Sequence, residues 1–256
     1  MNGPETDLMT EDARQAAALL VEATLTGKRI AALNITPASV AQAHAIQDQV
    51  TATLNETIGG FKANAPPGQS PTRGVIYAAR IFASPARINA SMLPHKAVEG
   101  EIAFRFLRDL PARDTDYARA EVVEAVAALV AIEVLSGQFI DLGTSPPLQQ
   151  LADRLANAAL VIGPELTGWK SLDIARLKVT VWVNDEVVAH HVGSHPINDP
   201  LAVAVALVNM MRTTTGVKAG QIVTTGSCTG LRRLQTEDRF KVAFEGLGAA
   251  ELTFAP

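Results

Sequence analysis

The sequence predicts an α+β fold, with a helical N-terminal segment laid on a β-rich core. Through residue 58 the apolar residues recur at three- and four-residue steps, the period of a helix. Beyond about residue 75 they alternate or run continuously in short segments, the pattern of strands. Residues 63–74 between these regions are rich in Pro, Gly, Ser and Asn, which reads as a loop. No repeat or linker divides the chain, so residues 1–58 are expected to form the helical segment and residues 59–256 one β-rich core.

Thr10 is placed to cap a helix whose first turn carries Glu11 and Asp12, where negative charge meets the helix dipole favourably. That helix runs through Leu19, Leu20 and Ala23 and stops at Gly27. Thr36 followed by Pro37 signals a second start, and Val40, Ala43, Ile46, Val50 and Leu54 mark its buried face up to Gly59 and Gly60. In the core, Ile102, Phe104 and Phe106 alternate with Glu101, Ala103 and Arg105, and Val126–Val134 is a nearly unbroken apolar run. Leu148–Ala159 reads as helix, and Lys178–Val183 and Glu186–His190 as a hairpin turning at Asn184–Asp185. Asp199–Pro200 starts a helix expected to reach about Thr215, and strands at Gln221–Thr225, Phe240–Phe244 and Glu251–Phe254 follow.

Composition excludes several function classes. The 256 residues are 48% hydrophobic with a net charge of −4, and no Lys/Arg cluster offers a nucleic-acid footprint. A single cysteine, Cys228, rules out an intramolecular disulfide or a Cys-built zinc cage. Met1–Thr10 lacks the features of a signal peptide and no apolar stretch is long enough to span a membrane, so a cytoplasmic location is expected.

The chemistry concentrates in few places. In a strand, Glu99 and Glu101 point to the same face about 6.5–7 Å apart, where two carboxylates repel unless a proton or cation lies between them. Glu133 is a lone acid in an apolar run, and a buried unpaired carboxylate needs a partner. Three such groups on neighbouring strands make an oxygen-ligand site for a hard divalent ion such as Mg²⁺. Lys62, at the mouth of the expected loop, can bind a carboxylate or move a proton once a closed pocket lowers its pKa.

Thr225, Gly226 and Ser227 lie in a small hydroxyl-rich turn suited to a substrate carboxylate. Gly226-Ser227-Cys228-Thr229-Gly230 also has the form of a cysteine nucleophile elbow. Only nine residues separate Gly230 from the strand at Phe240, and all five histidines precede Cys228, so the elbow lacks both its helix and its triad histidine. Among the histidines, His195, on a loop, is the candidate for the site, since the hairpin sends His190 and His191 to opposite faces.

With these residues in hand, the chain from about Val40 onward resembles the 2-keto-4-pentenoate hydratase / 2-oxohepta-3-enedioate hydratase group of the fumarylacetoacetate hydrolase superfamily. The likeness rests on Gly-Phe-Lys at Lys62, Glu-x-Glu-Ile-Ala-Phe at Glu99, the apolar run with Glu133, and Ala156-Asn157-Ala158. Asn184, the Asp-Pro-Leu at Asp199, Thr-Thr-Gly-Ser around Gly226 and the ending Phe244-Glu-Gly-Leu-Gly-Ala complete it. The resemblance implies a mixed β-roll core, Mg²⁺ or Mn²⁺ on Glu99, Glu101 and Glu133, Lys62 as acid/base or carboxylate binder, and a homo-oligomer. It implies a hydratase of a small 2-oxo or 2-hydroxydienoic acid from aromatic ring cleavage. A 4-oxalocrotonate-type decarboxylase, a C–C hydrolase of an acylpyruvate and a non-catalytic ligand-binding relative are the alternatives. The chain departs from the group at Val75–Arg80, which lacks the usual acid, and at Ala156–Ala159, where Asp and Ser of the usual Asp-Asn-Ala-Ser are replaced.

Overall fold

The computed structural model describes residues 8–256. Most of the Met1–Thr10 stretch read for a signal peptide therefore lies outside the described residues. No helix among the described residues is long and apolar enough to cross a membrane.

Two helices come first. α1 (Glu11–Thr26) is capped by Thr10, whose hydroxyl accepts from the Ala13 N–H, and it ends at Gly27 with φ near 71°. α2 (Val40–Thr53) starts later than the Thr36–Pro37 signal. Ser39 is its cap, accepting from Gln42 N at 3.1 Å, while the Gln42 side chain accepts from Ala38 N at 2.7 Å. This two-way tie outcompetes a proline start that has no such partner. Ala13, Ala16 and Leu20 of α1 pack on Ala43, Ile46 and Val50 of α2 and on Leu151.

The rest is two sheets with short helices. The strands are β1 (Ile58–Asn64), β2 (Thr72–Tyr77), β3 (Ile81–Ala83), β4 (Ala86–Asn89), β5 (Ala97–Phe106), β6 (Val126–Leu135), β7 (Asn157–Ile162), β8 (Lys178–Val183), β9 (Glu186–Val192), β10 (Ile222–Ser227), β11 (Arg232–Arg233), β12 (Arg239–Phe244) and β13 (Gly248–Ala255). α3 (Arg119–Val123), α4 (Pro147–Ala152) and α5 (Pro200–Met211) lie among them. The large mixed sheet runs β2-β1-β10-β5-β6-β7-β3, with β11 on β5, and the smaller runs β4-β13-β12-β8-β9.

The large sheet curls so that β2 approaches β7. Its concave face buries Ile76, Ala103, Leu129, Ala131, Leu160 and Ile222. Its convex face packs Phe104, Val130 and Ile132 against Val242, Leu252 and Phe254 of the smaller sheet. All ten residues of β6 are buried because both of its faces are covered, which is why its sequence is a continuous apolar run.

Three expectations are corrected. The expected loop at Ala63–Gly74 shrinks to residues 65–71, because β1 and β2 pair through Asn64 and Thr72. Lys62 is thus a strand residue. The expected helix over Leu148–Ala159 stops at Ala152, and Asn157–Ile162 pairs with β6 instead. A short apolar run carries no periodicity that separates strand from helix, and the open edge of β6 decides. α5, capped by the Asp199 side chain as expected, ends at Met211 rather than Thr215. The hairpin turning at Asn184–Asp185 forms as expected, with both residues at positive φ.

Gln47 ties α2 to the curled sheet. Its amide donates to Leu151 O at 2.8 Å and Arg73 O at 3.2 Å, and its carbonyl accepts from Val75 N at 2.8 Å. Gln47→Ala strands these buried backbone groups. A loss of about 3 kcal/mol in urea unfolding is expected, in line with the cost of leaving buried polar groups unpaired.

Candidate metal centre

The site lies at one end of the curled sheet. Glu99 and Glu101 project from β5, Glu133 from β6 and Lys62 from β1. Register places Glu99 directly opposite Glu133, the cross-strand position where like charges destabilise most. Each of the three glutamates offers a carboxylate oxygen within 4.8 Å of the others. Glu101 and Glu133 are fully buried, and only Glu99 reaches solvent to any extent.

The surroundings are polar but sparing. Glu133 receives the Lys62 ammonium at 2.8 Å and the Asn157 amide at 2.8 Å. Lys62 also stands 3.9 Å from Glu99. Glu101 accepts from Gly226 N at 2.8 Å through one oxygen, while its other oxygen is buried with no hydrogen-bond partner among the described residues. Burial first, then the Glu133 charge, pushes the Glu101 carboxyl up to about 8. Burial also raises Glu99, restrained by Lys62. Burial alone would lower the Lys62 pKa, but Glu133, Glu99 and Glu101 outweigh it and hold the ammonium above its ordinary value. The expected fall in the Lys62 pKa is therefore reversed while these carboxylates face it unshared.

The donor set fits a hard divalent cation. Three carboxylates meet at one point, one of their oxygens is orphaned, and all donors are oxygen, the choice of Mg²⁺ or Mn²⁺ over softer ions.

The other sequence candidates fall around this cluster rather than in it. The Thr225 hydroxyl donates to Ile102 O at 2.7 Å, so it serves the sheet. Thr224 is the neighbour whose side chain shares a face with Lys62, its register partner; its hydroxyl is buried and unpartnered. The one-residue offset follows from strand alternation. In the turn, Gly226 N is committed to Glu101 and Cys228 N to Gly100 O, so neither N–H is open to a substrate carboxylate. Ser227 stands beside Glu99. His195 is buried and hydrogen-bonds Thr225 O at 2.8 Å, bracing the turn from behind, where burial lowers its pKa. His190 and His191 part to Thr180 and to Cys228 O. Asn157 belongs to a motif that carries the family resemblance, but its place in an expected helix conceals its contact with Glu133; a polar residue opening an Ala-Ala-Leu-Val-Ile run is the signal that marks it.

At neutral pH the metal-free Glu101 carboxyl is largely protonated, so Glu101→Gln should barely change the metal-free melting temperature. Mg²⁺ at 100 times its Kd should stabilise the parent by about 2.7 kcal/mol and the variant far less, read by thermal denaturation. Because the folded state holds a proton that the unfolded state releases near pH 4.5, metal-free stability should fall as pH rises from there through about 8. Burial pushes the Cys228 thiol up to about 12, which disfavours a thiolate nucleophile, and Cys228→Ser should keep turnover within a few-fold.

Comparison with known proteins places this site in context. The chain is 28% identical over 254 residues to the 2-keto-4-pentenoate hydratase of Burkholderia vietnamiensis strain G4, covering 93% of this chain and 95% of that protein. The fold superposes on 4-oxalocrotonate decarboxylase from Pseudomonas putida G7, solved with calcium and acetate, at a TM-score of 0.81 and 21% identity, over 95% of this chain and 97% of that one. The same decarboxylase with magnesium and adipate gives 0.81 and 21%, over 94% and 97%. Residues 50–255, most of the chain, match the family described as fumarylacetoacetate (FAA) hydrolase C-terminal. The curled mixed sheet and the sequence match agree, and the chain belongs to the fumarylacetoacetate hydrolase family.

Proposed function

We propose that this chain is a divalent-metal-dependent hydro-lyase adding water to a small 2-hydroxydienoate or 2-oxo-enoate of the kind released by aromatic ring cleavage. The observation that carries the reading is the buried cluster of Glu99, Glu101 and Glu133 facing Lys62, on a chain whose relatives include a 2-keto-4-pentenoate hydratase. Glu99, Glu101 and Glu133 would hold Mg²⁺ or Mn²⁺. When bound, the ion supplies Lewis-acid polarisation of the substrate's carboxylate and C2 oxygen. The core over residues 59–256 carries all of these groups, and the working form is a homo-oligomer, as in the resembling group.

Lys62 holds the proton. Its ammonium is buried on Glu133, charged, and is the cation nearest the carboxylate cluster. It is therefore the group to protonate the far carbon of the dienol and to receive a proton as water adds. The free Thr224 hydroxyl and Ser227 beside Glu99 are the polar contacts for substrate oxygens. His195 and Thr225 hold the turn that presents Gly226 to Glu101. Thr225 and His195 also line a cavity of about 280 Å³ under the 65–71 loop, on the approach to β1 and β10.

One observation favours decarboxylation as the second reading. β2 sets Gly74 opposite Lys62, with Thr72 and Ile76 flanking it, so no carboxylate on that strand is free to activate water. Loss of CO₂ from an oxalocrotonate-type acid needs a proton donor but no such base.

Ultraviolet loss of the conjugated chromophore in the presence of Mg²⁺ separates the readings. The hydratase consumes 2-hydroxypenta-2,4-dienoate; consumption of 4-oxalocrotonate alone, with CO₂ released, establishes the decarboxylase. If neither is consumed, the hydro-lyase reading fails. Lys62→Ala should lower turnover on the order of 10²–10⁴-fold, the scale of general acid–base catalysis. Because the ammonium sits on a ligand carboxylate, its removal should tighten Mg²⁺ binding rather than leave it unchanged; a variant with normal turnover removes Lys62 from the mechanism.

A further inference from the structure

A second charged cavity lies on the convex side of the wall that holds the glutamates. It has a volume of about 570 Å³ and is bordered by Arg29, Arg80 and Arg154, with Tyr77 and Ala158 in its wall. None of Lys62, Glu99, Glu101, Glu133 or Asn157 lines it. Tyr77 and Ala158 belong with the packing of the convex face, whereas their neighbours Ile76 and Asn157 turn inward.

Several polar groups around this cavity lack partners, although Arg29 Nη1 donates to the lining Gln138 Oε1 at 2.9 Å. Arg154 is 7% exposed, and its guanidinium stacks 4.4 Å from the Tyr77 ring centroid yet donates no hydrogen bond and forms no ion pair among the described residues. A guanidinium has five N–H donors, and burying it without an acceptor is costly. The buried Tyr77 hydroxyl and Arg29 Nε also lack partners. Arg80, on the rim, makes no hydrogen bond or ion pair among the described residues. Two acids stand near: Glu56 on the rim, and the buried Asp153 behind Arg154, whose charge acts on Arg154 and Arg29 without an ion-pair contact to either.

We propose that this cavity is a binding site for a small oxyanion, a carboxylate or a phosphate, held by Arg154 and Arg80 with Arg29 and the Tyr77 hydroxyl as further donors. Planar arginine forks match carboxylate and phosphate oxygens in paired, charge-assisted hydrogen bonds. The volume lies in the range of small-molecule sites. The site also adjoins a strained element. Arg154, Leu155 and Ala156 all hold positive φ, and Asn157, next in the chain, is the residue that reaches Glu133. An anion on Arg154 thus grips the turn that delivers a neighbour of the carboxylate cluster.

Isothermal titration of the full, Mg²⁺-loaded chain with inorganic phosphate, and separately with succinate, tests this. At least one probe should bind saturably, one per chain, with Kd tighter than about 1 mM. Arg80→Gln, at an exposed position that leaves folding intact, and Arg154→Gln should each weaken that binding about tenfold or more. Glu101→Gln, which disables the other site, should leave it unchanged. Response to phosphate alone or succinate alone identifies the anion. Absence of saturable binding by either probe overturns the proposal, as does binding that survives Arg80→Gln but disappears in Glu101→Gln.

Discussion

The structure is organised around an electrostatic conflict at one end of its curled sheet. Three carboxylates and one ammonium are buried within a few ångströms, and the strand register puts two of the carboxylates face to face. At an effective dielectric of about 20, each like-charged pair at such a separation costs about 3 kcal/mol or more. One ammonium offsets part of this. With all carboxylates ionised the cluster keeps two negative charges, the number that a divalent cation neutralises. Without a cation, burial first and then the Glu133 charge favour a proton on Glu101, which relieves the conflict.

The fold is arranged to hold that conflict in place. β6 is apolar on both faces except at Glu133, so the acid cannot swing outward without exposing the strand. Gly226 N fixes one oxygen of Glu101, and Asn157 fixes one of Glu133. Asn157 arrives from three successive non-glycine residues at positive φ, each costing on the order of 1–2 kcal/mol. Gly74 accommodates this turn, since a Cβ there would sit 2.5 Å from Arg154 O. Strain and close backbone approach thus meet beside the carboxylates, where such costs are usually tied to function.

The legibility of the site in the sequence follows the same physics. Glu99 and Glu101 could be read because a strand has a period of two, and Glu133 because an acid in a buried run demands a partner. The helical caps at Thr10 and Asp199 were legible because capping is local chemistry. Thr36–Pro37 fails as a start because, one turn further on, Ser39 caps Gln42 N and the Gln42 side chain takes up Ala38 N, which satisfies more backbone. Lys62 was recognised but misplaced in a loop, since Pro and Gly at 66–68 mark the turn and not the strand pairing that flanks it. Thr225 stood in for Thr224 because assigning the inward face needs the pairing register, and the register of β10 shifts between Thr224 and Ser227. Asn157 is visible as part of a family motif, but its contact with Glu133 is not, because β7 is a strand only by virtue of the open edge of β6.

The absent acid near Ile76–Arg80 acquires a physical meaning from the Lys62 environment. With Gly74 opposite and an isoleucine and a threonine beside it, β2 offers Lys62 no counter-charge. All of its compensation comes from Glu133, Glu99 and Glu101. The proton on Lys62 is therefore held most tightly when those carboxylates are unshared, and loosens as they are engaged elsewhere. In a site with a dedicated acid the lysine's proton affinity would be set independently of the ligand carboxylates. Here one set of charges governs both, so occupancy of the carboxylate cluster and the acidity of Lys62 are two faces of a single equilibrium.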